Sequence, residues 1–429
     1  MVEQGVVFFE DQGCNPLMAW IDVRSAEEGA RHETDLRTRF FMFFHSDLPI
    51  LVHGVLWYSC LALFRVLGWC RPVRKRVIKK WKVLNRKLAF MEQRARKRRL
   101  ISLPYNIVMD TSTECNLKCL ACFRQHQDLY RHAVMPAKVI EKVIRELFPT
   151  AESVNVSIIG EPLLSPHLER IVHALRDFNA GLHITTNGTL LDQPGLVQRI
   201  LPALRYLEIS FDSTTPELYE RLRTGARFQH VLDNARKVGE IRRRMPDPKF
   251  DFGFSVTLFH PNVHELPGLI RLLASIGGNT VRAMFGVLFD EKLSHLSILT
   301  DPDLYNRVYR EALEVARESG VHLSLPSPFV DREQAGEVQE FACAAMYHSA
   351  RIAHDGTMKA CQSGETPCVL DYVKKGIRSC WNSREMRTLR ASYDTGNAHP
   401  TCRNCYVINI GPDTPEKKKL QLLKYLSAS

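Results

Sequence analysis

From Leu103 onward the apolar positions recur with two alternating periods. Short runs rich in β-branched and aromatic residues, YNIVMDTS, SVNVSIIG, LHITTNG, YLEISFDS, FDFGFSVTLF and TVRAMFGVLF, predict six strands. Between them lie stretches such as AKVIEKVIRELF and HVLDNARKVGEIRRR, whose apolar residues return every three or four positions and predict amphipathic helices. Strands alternating with helices make a parallel sheet with right-handed crossovers. The expected class is therefore α/β, a partial (β/α)6 TIM-like barrel over 103–326, with its chemistry at the C-terminal ends of the strands.

The flanks have a different texture. Leu48 to Phe64 is seventeen residues without formal charge if His53 is neutral, and the segment extends to Cys70 if Arg65 snorkels outward. It reads either as a membrane span or as a buried or interfacial helix. The basic run 71–99 follows at once, as in a cytoplasmic flank that attracts anionic lipid. Residues 1–102 are thus an N-terminal apolar and basic helical extension, of which 1–47 carry no strong period. Pro326, Pro328 and the polar stretch DREQAGEVQE mark a second boundary, before a loop-rich region at 327–429.

Charge sharpens this division. The chain of 429 residues carries a formal +11, yet the run 71–99 alone holds fourteen Lys or Arg against one acid, Glu92, a local +13 that leaves about −2 for the rest. Basicity confined to one segment argues for a surface that this segment meets, and against a nucleic-acid enzyme. A hydrophobic content of 45% and a charged content of 24% are globular values, so disorder is not the default.

The twelve cysteines fall into three groups: Cys14, Cys60 and Cys70; a trio at 115–122; and six between 343 and 405. The opening residues MVEQGVVFFEDQG carry acids and lack a basic n-region. Clustered cysteines without a secretory signal point to metal binding in a reducing cytoplasm. The expected localisation is a cytoplasmic catalytic domain, with the 48–99 segment as a tether to the inner face of the membrane if the apolar stretch spans it.

Cys115-Asn-Leu-Lys-Cys119-Leu-Ala-Cys122 has the spacing C-x3-C-x2-C directly after the first strand. Thiolates suit iron because soft anionic sulfur donates well to it. Three ligands on one short loop hold three corners of a four-iron cluster and leave one iron open, as an open zinc position does in a catalytic site. A zinc knuckle borrowing a distant ligand, or plain core cysteines, is the competing reading.

This spacing on this loop resembles the radical SAM superfamily, over about Pro104 to Tyr406. The resemblance implies a [4Fe-4S] cluster on Cys115, Cys119 and Cys122, S-adenosylmethionine (SAM) on the open iron, and a reducing partner such as flavodoxin or ferredoxin. Ile159-Gly160-Glu161-Pro162, at the second strand end, is similar to the family's Gly-Gly-Glu-Pro turn at the methionine amino group, with Ile159 in place of the first glycine. Thr185-Thr186-Asn187-Gly188 ends the third strand like the family's turn beside the cofactor. Ser210-Phe211-Asp212-Ser213 ends the fourth and resembles its ribose and carboxylate contacts. Before the third cysteine the family carries a bulky or aromatic residue, whereas here stands Ala121, for which Phe123 is the expected substitute. Arg223, Asn262 and Glu265 lie where cofactor or substrate groups reach, and His260, Asp290 and His354 are candidates for proton movement, though capping or surface roles fit each alone.

Cys343, Gly356-x4-Cys361 and Cys402-x2-Cys405 resemble the SPASM or Twitch auxiliary-cluster domains, together with Ile377-Arg-Ser-Cys-Trp381-Asn-Ser. No cysteine follows Tyr406, so the resemblance implies one auxiliary [4Fe-4S] cluster on Cys343, Cys361, Cys402 and Cys405, with Cys368 and Cys380 as spares or incidental side chains. A zinc ribbon competes for the whole group.

Three functions follow. The first is a radical SAM enzyme that forms a 5′-deoxyadenosyl radical and takes hydrogen from a sugar, lipid or other small metabolite, favoured by the lack of an identifiable leader-peptide module. The second is the same chemistry on a peptide or protein. The third is a non-enzymatic membrane-associated iron–sulfur or zinc protein.

Overall fold

A computed structural model gives the fold and describes residues 71–126, 132–156, 158–288, 290–329, 343–360, 369–393, 395 and 402. The apolar segment 48–70 lies outside these, as do Cys14, Cys60, Cys70, Cys361, Cys368 and Cys405 and the side chain of Phe123. Among the described residues no helix is long and apolar enough to cross a membrane.

In chain order the elements are α1 (Arg71–Arg94), β1 (Asn106–Met109), α2 (Phe123–His126), α3 (Ala137–Glu146), β2 (Ser153–Val156), α4 (Leu168–Phe178), β3 (Gly181–Thr186), α5 (Leu196–Ile200), β4 (Leu204–Ser210), α6 (Pro216–Leu222), α7 (Phe228–Arg244), β5 (Asp251–Leu258), α8 (Leu266–Ser275), β6 (Thr280–Phe285), α9 (Pro302–Ser319), β7 (His322–Ser324), α10 (Ala345–His348), β8 (Ser349–Ile352), β9 (Thr357–Lys359), β10 (Val369–Asp371), α11 (Tyr372–Trp381) and α12 (Arg384–Ala391). The ten strands among the described residues form one open sheet in the order β10-β9-β8-β1-β2-β3-β4-β5-β6-β7. From β8 to β7 every pairing is parallel, and only the β8–β9 and β9–β10 pairings are antiparallel, so β9 alone runs against the rest.

All six expected strands are present. Two more flank them. Strand β7 is three residues, too short to show an alternation, and pairs with β6. Strand β8 pairs with β1, so the cysteine-rich C-terminal region and the barrel share one sheet. Its Ser-Ala-Arg-Ile sequence hides the strand because the arginine is buried there, neutralised by Asp110 at 2.8 Å.

The two faces of the sheet differ in chemistry, as the two-residue period of a strand dictates. Outward, Ile184, Leu207, Ile209, Phe252, Phe254 and Val281 are buried under the helices. Helix α3 answers with Val139, Ile140, Val143 and Ile144 on one stripe. Inward, the positions alternate to His183, Thr185, Tyr206, Glu208, Ser255 and Arg282. Glu208 on β4 forms a buried ion pair with Arg282 on β6, two strands away, and also accepts from Thr185 Oγ1 at 3.0 Å and Tyr206 Oη at 2.9 Å. The intervening strand carries Gly253 in register with Glu208. The barrel interior is therefore polar.

The basic run 71–99 is not simply a solvated extension. Helix α1 turns Ile78, Lys82, Asn85, Leu88, Ala89 and Glu92 inward. Asn85 pairs through both amide atoms with the backbone of Leu103, just before β1, and Lys82 Nζ donates to the carbonyls of Ala151 and Asn179, just before β2 and β3. Helix α1 thus caps the N-terminal end of the barrel.

Candidate cluster and cofactor site

The three cysteines sit on the loop after β1, at the opposite end of the barrel from α1. Backbone bonds brace this loop: Lys118 N to Thr224 O at 2.9 Å, Leu120 N to Leu222 O at 2.9 Å and Thr113 N to Ala133 O at 2.9 Å, with Leu117 buried beneath. Cys115, Cys119 and Cys122 are half-buried free thiols. Burial pushes the Cys119 thiol up to about 11 against the opposing pull of Arg223, and raises Cys122 as well. Thiols this desolvated and this close ionise together only beside a cation, which is what iron supplies. Three thiolates on one loop form a soft, anionic donor set that suits iron.

Gly160 lies against this loop. A Cβ there would stand 2.4 Å from Glu114 O and 2.7 Å from Ser112 O, and the next amide, Glu161 N, donates to Glu114 O at 2.7 Å. Ile159, where the family has its first glycine, keeps a buried side chain, so the indispensable glycine of the pair is the second. Pro162 opens a short turn that Glu161 caps through Leu163 N at 3.1 Å.

The Glu161 carboxylate also accepts from Thr186 Oγ1 at 2.6 Å and Asn187 N at 2.8 Å. Burial still raises its pKa above the usual range. Asn187 Nδ2 then reaches Asn116 Oδ1 at 2.8 Å and stands 3.8 Å from Cys115 Sγ, while Asn187 Oδ1 accepts from Thr189 Oγ1 at 2.7 Å. Asn116 closes the ring by donating to Thr189 Oγ1 at 2.8 Å. Gly188 makes this turn possible with φ +78°, and a Cβ there would meet Ile209 and Val231 within 2.9 Å. Asn116 and Thr189 were not singled out from sequence. Their signal was position alone, one residue after Cys115 and one after the Asn-Gly turn.

On the other side of the loop Asp212 pairs with Arg223 at 2.7 Å and accepts from Thr257 N at 2.7 Å. Ser210 is half-buried at the end of β4, in register with Ser255 on β5. Phe211 between them points outward, stacked on Phe254 with centroids 4.7 Å apart. Asn262 is fully buried and ties the backbone of Asp212, Thr257 and Phe259 together at 2.7–2.9 Å. Glu265 accepts from Ser213 Oγ at 2.8 Å, Thr214 Oγ1 at 2.7 Å and Thr215 N at 3.1 Å, hydrogen bonds that hold its pKa low despite burial. Asn262 and Glu265 are therefore positioning groups. Asp290 caps a turn through Lys292 N at 2.9 Å. His260 and His354 are half-buried, and Ala121 packs with the apolar cluster of Leu222, Phe259, Leu288 and Leu296.

In the C-terminal region Cys343 and Cys402 are half-buried against the core, and their expected partners Cys361 and Cys405 lie outside the described residues. Cys380 is a core side chain whose Sγ lies 3.8 Å from Asp371 O. The Ile377–Ser383 motif around it is a packing device. Trp381 is fully buried under the Arg390 guanidinium at 4.6 Å, and Asn382 pairs through both amide atoms with Leu100 at 2.8 Å.

A family model described as Radical SAM superfamily matches residues 109–273, and one described as SPASM, an iron-sulfur cluster-binding domain, matches 343–406. The chain is 24% identical over 331 residues to the tungsten-containing aldehyde ferredoxin oxidoreductase cofactor-modifying protein of Pyrococcus furiosus, covering 70% of this chain and 86% of that one. It is 22% identical over 266 residues to a probable GTP 3′,8-cyclase of Methanococcus maripaludis, covering 59% and 83%. Among solved structures, Streptococcus suis SuiB bound to S-adenosylmethionine superposes with a TM-score of 0.56 at 18% identity over 78% of each chain. SuiB bound to its precursor peptide SuiA does so at 0.54 and 17%, over 78% and 77%.

Proposed function

The chain is a radical SAM enzyme with a C-terminal SPASM domain, and from that premise we propose that it cleaves SAM reductively and removes hydrogen from a polar small metabolite. The family brings a SAM-binding [4Fe-4S] cluster, SAM itself and auxiliary iron–sulfur. In this reading Cys115, Cys119 and Cys122 hold the SAM-binding cluster, and Cys343, Cys361, Cys402 and Cys405 an auxiliary one. The barrel is 103–326 and the auxiliary domain 327–429. When bound, the cofactors supply a 5′-deoxyadenosyl radical that takes hydrogen from an unactivated carbon.

The protein's share is position and enclosure. Gly160 lets the second strand end lie against the cysteine loop, and the Glu161, Thr186 and Asn187 network fixes the shoulder at Cys115. Gly160, Glu161 and Pro162 border the methionine end of SAM in this reading, while Thr186, Asn187, Ser210 and Asp212 border its carboxylate and ribose. Arg223 holds Asp212 and lends positive charge near Cys119. The sheet walls keep a reactive carbon from water and from stray C–H bonds.

The carrying observation is the open set of three thiols at the C-terminal ends of the strands, braced by the Glu161 network. For the substrate, the polar interior with Glu208, Arg282, Tyr206 and Thr185 favours a hydrogen-bonding molecule such as a sugar over a lipid tail. A peptide is the second reading, favoured by the likeness to SuiB, which was solved with its precursor peptide.

The test is anaerobic reconstitution followed by SAM and dithionite. Release of 5′-deoxyadenosine, lost in Cys119→Ala, is expected. No release from iron-loaded protein, with a cluster EPR signal unchanged by SAM, overturns the reading. Polar metabolite and peptide fractions added separately should then show which one raises the rate of release above the uncoupled level.

A further inference from the structure

We propose that the outer face of α1 docks on an anionic lipid surface and holds the enzyme with its cysteine loop turned away from the bilayer. The inward stripe of α1 is packed against the barrel and against α10. Its outward stripe is of two kinds. Lys75, Arg76, Lys79, Lys80, Lys87 and Arg94 are exposed, and the basic run continues through Arg99 without an exposed acid among the described residues 75–99, since Glu92 is buried. Among these cations stand Val83, Leu84, Phe90 and Met91, exposed by 38%, 47%, 56% and 43%. They are half of the large exposed apolar side chains among the described residues. Arg94 lies over the Phe90 ring at 5.6 Å. At the seam, Arg86 pairs with Glu152 at 3.1 Å.

Cations and apolar groups on one helical stripe match the two halves of a lipid interface, where headgroup charge meets the acyl boundary. A phosphate backbone would use the cations and leave Leu84 and Phe90 without purpose. An acidic electron donor fits the charge but not the place. Helix α1 lies across the N-terminal ends of β1–β3, and the cysteines lie at the other end, a strand length of roughly 20 Å away. In sequence, the uncharged stretch from Leu48 to Phe64 precedes this helix. The consequence for function is orientation: the mouth of the barrel faces the aqueous side. That fits a dissolved substrate and disfavours one buried in acyl chains, a point that rests on the cluster assignment above.

The experiment uses the full-length reconstituted protein and vesicles of phosphatidylcholine alone or with about one third phosphatidylglycerol. Sedimentation with the anionic vesicles only, weakened by salt, is expected. Lys75→Glu/Lys79→Glu/Lys80→Glu and, separately, Leu84→Ser/Phe90→Ser should each reduce binding at least about tenfold. Both should leave the release of 5′-deoxyadenosine unchanged, so loss of binding is separable from loss of the enzyme. A bimane label on Leu84→Cys should be quenched by a lipid-phase nitroxide, and one on Val134→Cys beside the cysteine loop should not. Equal binding to neutral vesicles, binding that survives both sets of substitutions, quenching at Val134→Cys, or retention by flavodoxin without any vesicle binding would each overturn the proposal.

Discussion

A methyl group added to Gly160 has nowhere to go, because the atoms it meets at 2.4 and 2.7 Å are backbone carbonyls of the cysteine loop rather than movable side chains. Gly160→Ala should therefore shift the loop itself, at a cost of about 1–3 kcal/mol. The expected outcome is a lower iron content per chain after reconstitution, with weaker SAM binding by the iron that remains. Asn262→Ala tests the other shoulder: it strands Phe259 N and the carbonyls of Asp212 and Thr257 in a buried setting, for a loss of about 2–4 kcal/mol in chemical denaturation. At this scale the sequence singled out Glu161, Thr186, Asn187, Asp212 and Arg223, which the fold brings into contact around the cysteine loop, without revealing those contacts. The spacing of the cysteines and the Gly-Glu-Pro and Thr-Asn-Gly turns were legible because short motifs survive without their partners. The pairing of Asp212 with Arg223, and the closing of the ring by Asn116 and Thr189, depend on strand ends that only the folded sheet brings together.

At the scale of the element, α1 shows how a charge run hides a docked helix. Its inward stripe contains Lys82, Asn85 and Glu92, so the apolar period that marks an amphipathic helix is broken where the helix grips the barrel. Lys82 is the telling residue. Desolvation lowers its pKa to about 7 from 10.5, with Glu152 pulling the other way. Between those values the unfolded chain holds a proton that the folded chain has released. Stability should thus rise with pH across that window, by at most about 1.4 kcal/mol per pH unit, and the gain is lost as pH falls back to 7, below which the slope levels off. Lys82→Met should flatten this slope. Parallel denaturation series of the two proteins between pH 7 and 10 measure the difference, and equal slopes would show that the amine keeps its charge in the fold. Strands β1 to β6, by contrast, were legible because each is a short run rich in apolar residues bounded by turn residues. Strand β7 was too short and β8 too polar for the same signal.

For the whole molecule, the decisive contact is the one between β1 and β8, since it joins the strand before the cysteine loop to the region carrying Cys343. The sequence placed a boundary near Pro326 and Pro328, but it could not show that Ser349–Ile352 pair with the free edge of β1. Two buried charges secure that return. Arg351 on β8 meets Asp110 at 2.8 Å, with side chains 5% and 0% exposed, and Asp110 Oδ1 also accepts from Ile158 N at 3.2 Å on the β2 side. Each charge is tolerable only while the other is present. Arg351→Met should leave a bare carboxylate in the core and cost about 3–5 kcal/mol, whereas the double change Asp110→Leu/Arg351→Met removes both and should regain most of it. Equilibrium unfolding of the two single variants and the double variant closes the cycle. A double variant as unstable as Arg351→Met alone would mean that the pair is not a unit, and that packing alone holds β8 to the barrel. If the pair is a unit, the stable double variant should also bind less iron at the cysteine loop, because Asp110, at the start of that loop, ties it to the loop after β2 through Ile158 N, and iron content reports this independently of stability.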